Sequence, residues 1–255
     1  MLQTKRAYTE KEINGLHLRI YASHQYLYSD AVKILFNHLS TSKNKNIGLA
    51  TGATFEPFYA ELVSQCKAMG KERLEVNTFN LDEYLGLSRD DPNTYATYMQ
   101  RHLFSKIAVE GSFIPNSNAA YPEIEASFYE NLIRSKGGIG LQYLGIGTNG
   151  HIGFNEPGTA TDTITHTVEL SESTISSNSI YFKTARMPHK AITMGIGTIL
   201  SADKIVLIAT GKSKSAAIMG SVMQDPSPDV PASALRMHGN ATILIDAPAA
   251  SSLRL

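Results

Sequence analysis

A short apolar run at 141–146 (LQYLGI) breaks directly into the glycine-rich stretch 145–158, which reads GIGTNGHIGFNEPG. An apolar run of this length that ends in glycines reads as a buried strand opening into a loop at a sheet edge. In such a loop the backbone can approach a ligand closely, because no Cβ intervenes. Asn149, His151 and Glu156 stand among its five glycines. A histidine flanked by a hydrogen-bonding amide and a carboxylate is equipped to move protons near neutral pH. An isolated histidine would more often just cap a turn. Here glycine density, the preceding strand and three polar groups coincide, which points to a site.

The rest of the chain repeats the alternation of strand and helix. Apolar runs at 16–21, 46–50, 74–79, 141–146, 205–210 and 241–246 predict strands. Between them, Ser29-Asp30 offers a helix start before Ala31, Val32, Leu35 and Leu39, and a helix with Pro57 in its first turn runs to about Gly70. Further helices are predicted over 94–107, 123–135, 190–200 and 211–219, the second of these stopped by Gly137-Gly138. This alternation predicts an α/β fold, a single Rossmann-like domain over 1–255. Its mainly parallel sheet is covered by helices on both faces, forming three layers, with ligands at the carboxyl ends of the strands.

Lysine plus arginine equals aspartate plus glutamate at 23 each, so no global field recruits nucleic acid or a membrane surface. The single cysteine, Cys66, aligns with Phe58, Leu62 and Met69 on a helix face and predicts a buried thiol in a reducing compartment. The first residues are too polar for a signal peptide, and no apolar run reaches membrane-spanning length, so a cytoplasmic protein is expected. No HxH, HExxH or cysteine cluster offers metal-ligand spacing, so no metal is expected. The GIGTNG segment leads into Pro157 instead of a helix, which argues against a nicotinamide cofactor.

Two strand ends lead straight into helices. Thr51, Gly52, Ala53 and Thr54 form one such turn, where backbone N–H groups and the positive helix end suit a phosphate. Thr210 to Lys214 (TGKSK) form another, with Lys212 and Lys214 as candidate cations. After the strand at 74–79 stands the acidic pair Asp82-Glu83. A carboxylate held beside C1 and C2 of a sugar can carry a proton between them, and burial would raise its basicity.

The blocks GLATGAT (48–54), FNLDEYLG (79–86) and GIGTNGHIGFNEPG (145–158) resemble the glucosamine-6-phosphate deaminase (isomerase) family, within a larger group that includes 6-phosphogluconolactonases. They stand in the family's order and at about its spacing, and the likeness extends over nearly the whole chain. The resemblance implies conversion of glucosamine 6-phosphate and water to fructose 6-phosphate and ammonia, without a cofactor. It implies Asp82 as the enolising base, with Glu83 and Tyr84 orienting the site. His151 would open the sugar ring, held by Asn149 on one side and Glu156 on the other. Thr51, Gly52, Ala53, Thr54 and Gly147 would contact substrate, and Lys214 would grip the phosphate, with Lys212 as runner-up. The partner expected is a small amino-sugar phosphate. Family members range from monomers to hexamers, so a homo-oligomer is compatible with the sequence. A galactosamine-6-phosphate deaminase is the nearest rival, followed by a 6-phosphogluconolactonase and by a non-catalytic sugar-phosphate sensor.

Two stretches depart from the pattern, and position 149 varies within it, some members carrying Asn as here. Many members carry Asp where this chain has Asn149, which can orient the imidazole but not support its charge, leaving that to Glu156. Members often have Arg after an Asn-Ser pair, whereas here Asn178-Ser179 is followed by Ile180, with Lys183 or Arg186 as candidate replacements. Activated members have basic residues soon after FNEP. Here His166 is the only candidate cation in TATDTITHTVE, so an activator site is not expected.

Overall fold

The computed structural model describes residues 8–182 and 187–253. The chain opens with β1 (Tyr8–Ile13) and β2 (Leu16–Tyr21), a hairpin closed by Asn14-Gly15. Both turn residues have positive φ, 50° and 81°, the geometry a two-residue hairpin loop requires and the reason Asn-Gly stands there. The sequence does not predict β1, because its run YTEKEI is exposed along most of its length. Then follow α1 (His24–Thr41), β3 (Asn46–Leu49), α2 (Glu56–Ala68), β4 (Arg73–Asn80), β5 (Asp82–Tyr84) and α3 (Tyr95–Met99). A π-helical turn, Gln100–Phe104, extends α3, and β6 (Ala108–Phe113), α4 (Pro122–Ser135) and β7 (Leu141–Leu144) come next. The second half contains β8 (His166–Glu169), α5 (Glu172–Asn178), β9 (Lys190–Thr193), α6 (Ile196–Leu200), β10 (Ile205–Ala209), α7 (Ser215–Met223) and β11 (Ala241–Asp246).

Eight strands form one sheet in the order β1-β2-β11-β10-β7-β3-β4-β6, parallel throughout except for the β1 edge. The central strands β3, β7, β10 and β11 are buried at every position, as a parallel sheet covered on both faces demands. From β2 the chain steps one way across the sheet, through β3 and β4 to β6. From β6 it returns through β7, β10 and β11. Right-handed crossovers then place α1 and α2 on one face and α4, α6 and α7 on the other. The reversal falls between neighbouring strands β3 and β7, so a crevice opens beyond their carboxyl ends.

A second, antiparallel sheet, β5-β9-β8, caps this crevice. It is pinned to the main sheet where the Leu81 N–H donates to Leu49 O at 3.0 Å and the Met194 N–H donates to Leu81 O at 2.7 Å. Among the described residues no helix is long and apolar enough to cross a membrane.

Two helix expectations change. The first helix begins at His24 after Ser23, and Asp30 lies within it, accepting from Arg19 at 2.9 Å and from Tyr21 Oη. The stretch 190–200 is not one helix but β9 followed by α6. Between them a Cβ on Gly195 would sit 2.0 Å from Thr163 O, so the chain passes too close to that loop for any other residue. Strands β6 and β8 also go beyond the sequence reading; both run along partly exposed edges and bury no residue fully.

Candidate active site

The loops after β3 and β7 meet at the reversal point and enclose, with β5, a cavity of about 300 Å³. Thr51, Gly52, Ala53 and Thr54 form its first wall. Gly52 takes φ +91°, a conformation that costs a side chain dearly. Side chains from the covering helices hold this strand end: Tyr59 Oη donates to Ala50 O at 2.6 Å and Tyr98 Oη to Gly52 O at 2.9 Å.

The second wall is β5. Successive strand residues face opposite sides, so Asp82 and Glu83 diverge. Asp82 faces the cavity while almost wholly buried, and burial, followed by the nearby Glu83 charge, pushes its carboxyl up to about 8. Glu83, expected in the substrate site, does not line this cavity. Its carboxylate accepts from the Tyr84, Tyr95 and Ala96 N–H groups, each at 2.9 Å, and so anchors the start of α3. Burial raises it to about 7 against those three donors. It borders instead a neighbouring hollow of about 680 Å³ flanked by Arg89 and Arg101.

The glycine-rich loop after β7 supplies the third wall. Gly147 lies beneath the His151 imidazole so closely that an added Cβ would meet the ring at 2.2 Å. Its N–H donates to His151 O at 2.9 Å, closing the loop on itself. His151 Nδ1 faces Glu156 Oε2 at 3.5 Å. Contrary to expectation, Asn149 does not hold the imidazole. Its Oδ1 accepts the His151 backbone N–H at 3.2 Å, and its Nδ2 donates to Glu156 Oε2 at 2.8 Å. The amide is two residues from His151, near enough to bond its backbone, and the reach to Glu156 takes up the other end. Thr174 Oγ1 donates to the second oxygen, Glu156 Oε1. Burial alone would raise the Glu156 carboxyl. The approach of His151 and its charge, with the bonds from Thr174 and Asn149, outweigh it and hold the group at about 2. Glu156 is therefore a fixed anion behind the imidazole.

Lys214 closes the cavity from the turn before α7 and is the only lysine or arginine among the described residues lining it. Burial lowers its pKa. The turn is held where the Gly211 N–H, at φ +90°, donates to both Asp246 oxygens at 3.0 Å. Lys212 is exposed and does not line the cavity.

Tyr95, Thr174 and Asn178 also line the cavity, and the sequence reading does not single them out as site residues. The Ser171 side chain caps Thr174 N–H at the start of α5, a helix signal that would have placed both α5 residues on one element. Ile180 is 65% exposed and does not line the cavity; Lys183 and Arg186 lie outside the described residues. Among the described residues no cluster of histidine, cysteine or carboxylate side chains could hold a metal ion.

The site thus joins a buried carboxyl of raised basicity, an imidazole backed by a fixed anion, and a strand-to-helix turn facing a lysine. That combination suits proton transfer on an anionic substrate.

Comparison with known proteins gives the same picture. The chain is 43% identical over 242 residues to a glucosamine-6-phosphate deaminase of Shouchella clausii, covering 94% of this chain and 97% of the relative. It is 44% identical over 232 residues to glucosamine-6-phosphate deaminase 1 of Bacillus subtilis, covering 90% and 96%. A solved monomeric glucosamine-6-phosphate deaminase superposes with a TM-score of 0.89 at 42% identity, over 92% of this chain and 99% of that one. The 6-phosphogluconolactonase of Trypanosoma brucei shares the fold at a TM-score of 0.75 and 19% identity, over 96% and 100%. With a family model matching residues 22–244, the chain belongs to the glucosamine-6-phosphate isomerase/6-phosphogluconolactonase family.

Proposed function

We propose that this chain is a glucosamine-6-phosphate deaminase, converting glucosamine 6-phosphate and water to fructose 6-phosphate and ammonia. The observation that carries the reading is a single cavity lined by Asp82, His151 and Lys214, with the turn at Thr51, Gly52, Ala53 and Thr54. The substrate phosphate sits against Lys214 and that turn, where helix-end amides and an ammonium favour a dianion. His151 takes the O1 proton of the closed sugar and returns a proton to O5, which opens the ring. Glu156 stabilises the imidazolium formed on the way. Asp82 then removes the C2 proton of the open aldehyde and delivers it to C1, while one proton of the C2 ammonium passes to O1, leaving a hydroxyl at C1 and an iminium at C2. Water adds to C2, ammonia departs, and the ketone of fructose 6-phosphate remains.

The raised basicity of Asp82 suits the enolising step, because a more basic carboxylate has a larger driving force to take the C2 proton. The substrate's own amine and carbonyl act as electron sink, so no cofactor enters. The similar solved deaminase is described as monomeric, which supports a monomer as a competent unit. A cytoplasmic location fits a phosphorylated substrate, which does not cross membranes unaided. The test is ammonia release coupled to a detector, with glucosamine 6-phosphate, galactosamine 6-phosphate and their N-acetyl forms supplied separately. Turnover of the first well above the others is expected; preference for the galactose epimer would overturn the substrate assignment.

A further inference from the structure

Helix α5 reaches the proposed proton-transfer groups at two points. At its start, Ser171 Oγ accepts the Thr174 N–H and donates to Thr174 Oγ1 at 3.2 Å. Thr174 Oγ1 in turn donates to Glu156 Oε1. Near its end, Asn178 Nδ2 donates to Tyr84 Oη at 3.0 Å, and Tyr84 lies two residues beyond Asp82 on β5. Thr174 is 2% exposed, so its hydroxyl is part of the interior and not a surface decoration.

The division of labour at Glu156 is what matters. Oε2 takes the Asn149 amide at 2.8 Å and faces His151 Nδ1 at 3.5 Å. Oε1 faces away from the imidazole and has Thr174 as its donor. A carboxylate with a donor on each oxygen cannot rotate without breaking one charge-assisted bond. Removing the Oε1 donor lets the carboxylate pivot about its remaining Asn149 bond, which turns Oε2 off the ring, and leaves Oε1 without that donor.

We infer that Thr174 is a positioning residue for ring opening: its hydroxyl fixes the Glu156 carboxylate so that Oε2 stays aimed at His151. The inference rests on the role proposed for His151 above. The ionisable groups lining the cavity with His151 are Asp82 from β5, Tyr95 from α3 and Lys214 from the turn before α7, with Glu156 behind the ring. Among the described contacts, the one that links Thr174 to the imidazole runs through Glu156.

Thr174→Val keeps the shape and removes the hydroxyl; Thr174→Ser keeps the hydroxyl. Thr174→Val should lower turnover of glucosamine 6-phosphate by about 10- to 100-fold, the loss of one charge-assisted bond in the transition state. Affinity for the open-chain 2-amino-2-deoxyhexitol 6-phosphate, which needs no ring opening, should stay within about twofold of wild type. Thr174→Ser should restore most of the turnover. With substrate deuterated at C2, the isotope effect of Thr174→Val should be no larger than that of wild type, because ring opening and not C–H transfer has slowed. Turnover within about threefold of wild type, an equal loss of hexitol affinity, or an enlarged isotope effect would each overturn the inference. If wild type itself releases no ammonia from glucosamine 6-phosphate, the functional reading has failed. If wild type works and Thr174→Val works equally well, only the role of Thr174 has failed.

Discussion

Asn149 donates its side-chain amide to Glu156 Oε2 at 2.8 Å, while its own carbonyl oxygen takes the His151 backbone N–H. The residue thus braces the carboxylate and the loop, and leaves the imidazole to Glu156 alone. An aspartate in this place would set a second carboxylate against Glu156, where now there is a donor. Asn149→Asp should therefore raise the pKa of one of the two carboxyls, since like charges at this distance do not both ionise freely. The variant should lose turnover above neutral pH, and far less in mild acid, where a proton shared between the carboxyls replaces the amide hydrogen. A pH–rate profile superimposable on wild type would show that the amide contact has no catalytic consequence.

Asp82→Asn should abolish isomerisation, by about 10²- to 10⁴-fold, because the amide cannot accept the C2 proton. The same change should stabilise the fold at alkaline pH. The folded-state pKa of Asp82 is raised to about 8 by burial and by Glu83, well above its unfolded value of about 3.9. Between those values the native state binds a proton that the unfolded chain releases. Wild-type stability from this group is therefore full below about pH 4 and is lost as pH rises through about 8. The amide of the Asp82→Asn variant carries no such penalty, so the melting-temperature difference between variant and wild type should grow from about pH 5 to about pH 8. A difference that is flat or shrinks over that range would mean that Asp82 ionises normally in the folded protein.

Glu83 should behave as an anchor with an electrostatic side effect. Glu83→Gln keeps an oxygen for two of the three N–H donors but sets an NH₂ group against another. A loss of roughly 1–3 kcal/mol is expected, seen as a melting temperature lower by several degrees. The variant also removes a negative charge that helps raise Asp82, so the acid limb of kcat/KM should move to lower pH. An unmoved acid limb would mean that Glu83 is protonated in the working enzyme or that Asp82 does not set the limb.

Much of this arrangement is legible in the sequence because the site sits where strands end. Glycines after an apolar run announce a loop that approaches a ligand, and that reading locates Gly52, Gly147 and His151. The partners of side chains are not legible. Asn149 and Glu83 stand beside His151 and Asp82 in sequence, yet their bonds go to Glu156 and to the start of α3. Strand alternation warns that Asp82 and Glu83 face apart, but only once β5 is known to be a strand. The three-residue β5 carries no periodic signal of its own; it exists because β9 pairs with it, from Asp82↔Thr193 to Tyr84↔Ala191. The same holds for α5, whose role at Glu156 depends on a contact across 18 positions of sequence.

Lys214→Ala should weaken binding of the phosphorylated sugar while affecting the bond-making steps much less. Lys214 is the only lysine or arginine among the described residues lining the cavity, and Ile180 is exposed and does not line it. Removing one charge-assisted contact to phosphate costs about 1.5–3 kcal/mol, so KM should rise roughly 10- to 100-fold, toward the upper end because little else shares the load. Burial lowers the Lys214 pKa in the free enzyme, and a bound phosphate favours the charged amine. Substrate affinity should consequently decline at alkaline pH below the ordinary lysine range, and Lys214→Arg, always charged, should flatten that decline. A KM unchanged in Lys214→Ala would move the phosphate grip to Lys212 or to the residues between Phe182 and Met187. An alkaline decline identical in Lys214→Arg would assign it to another group.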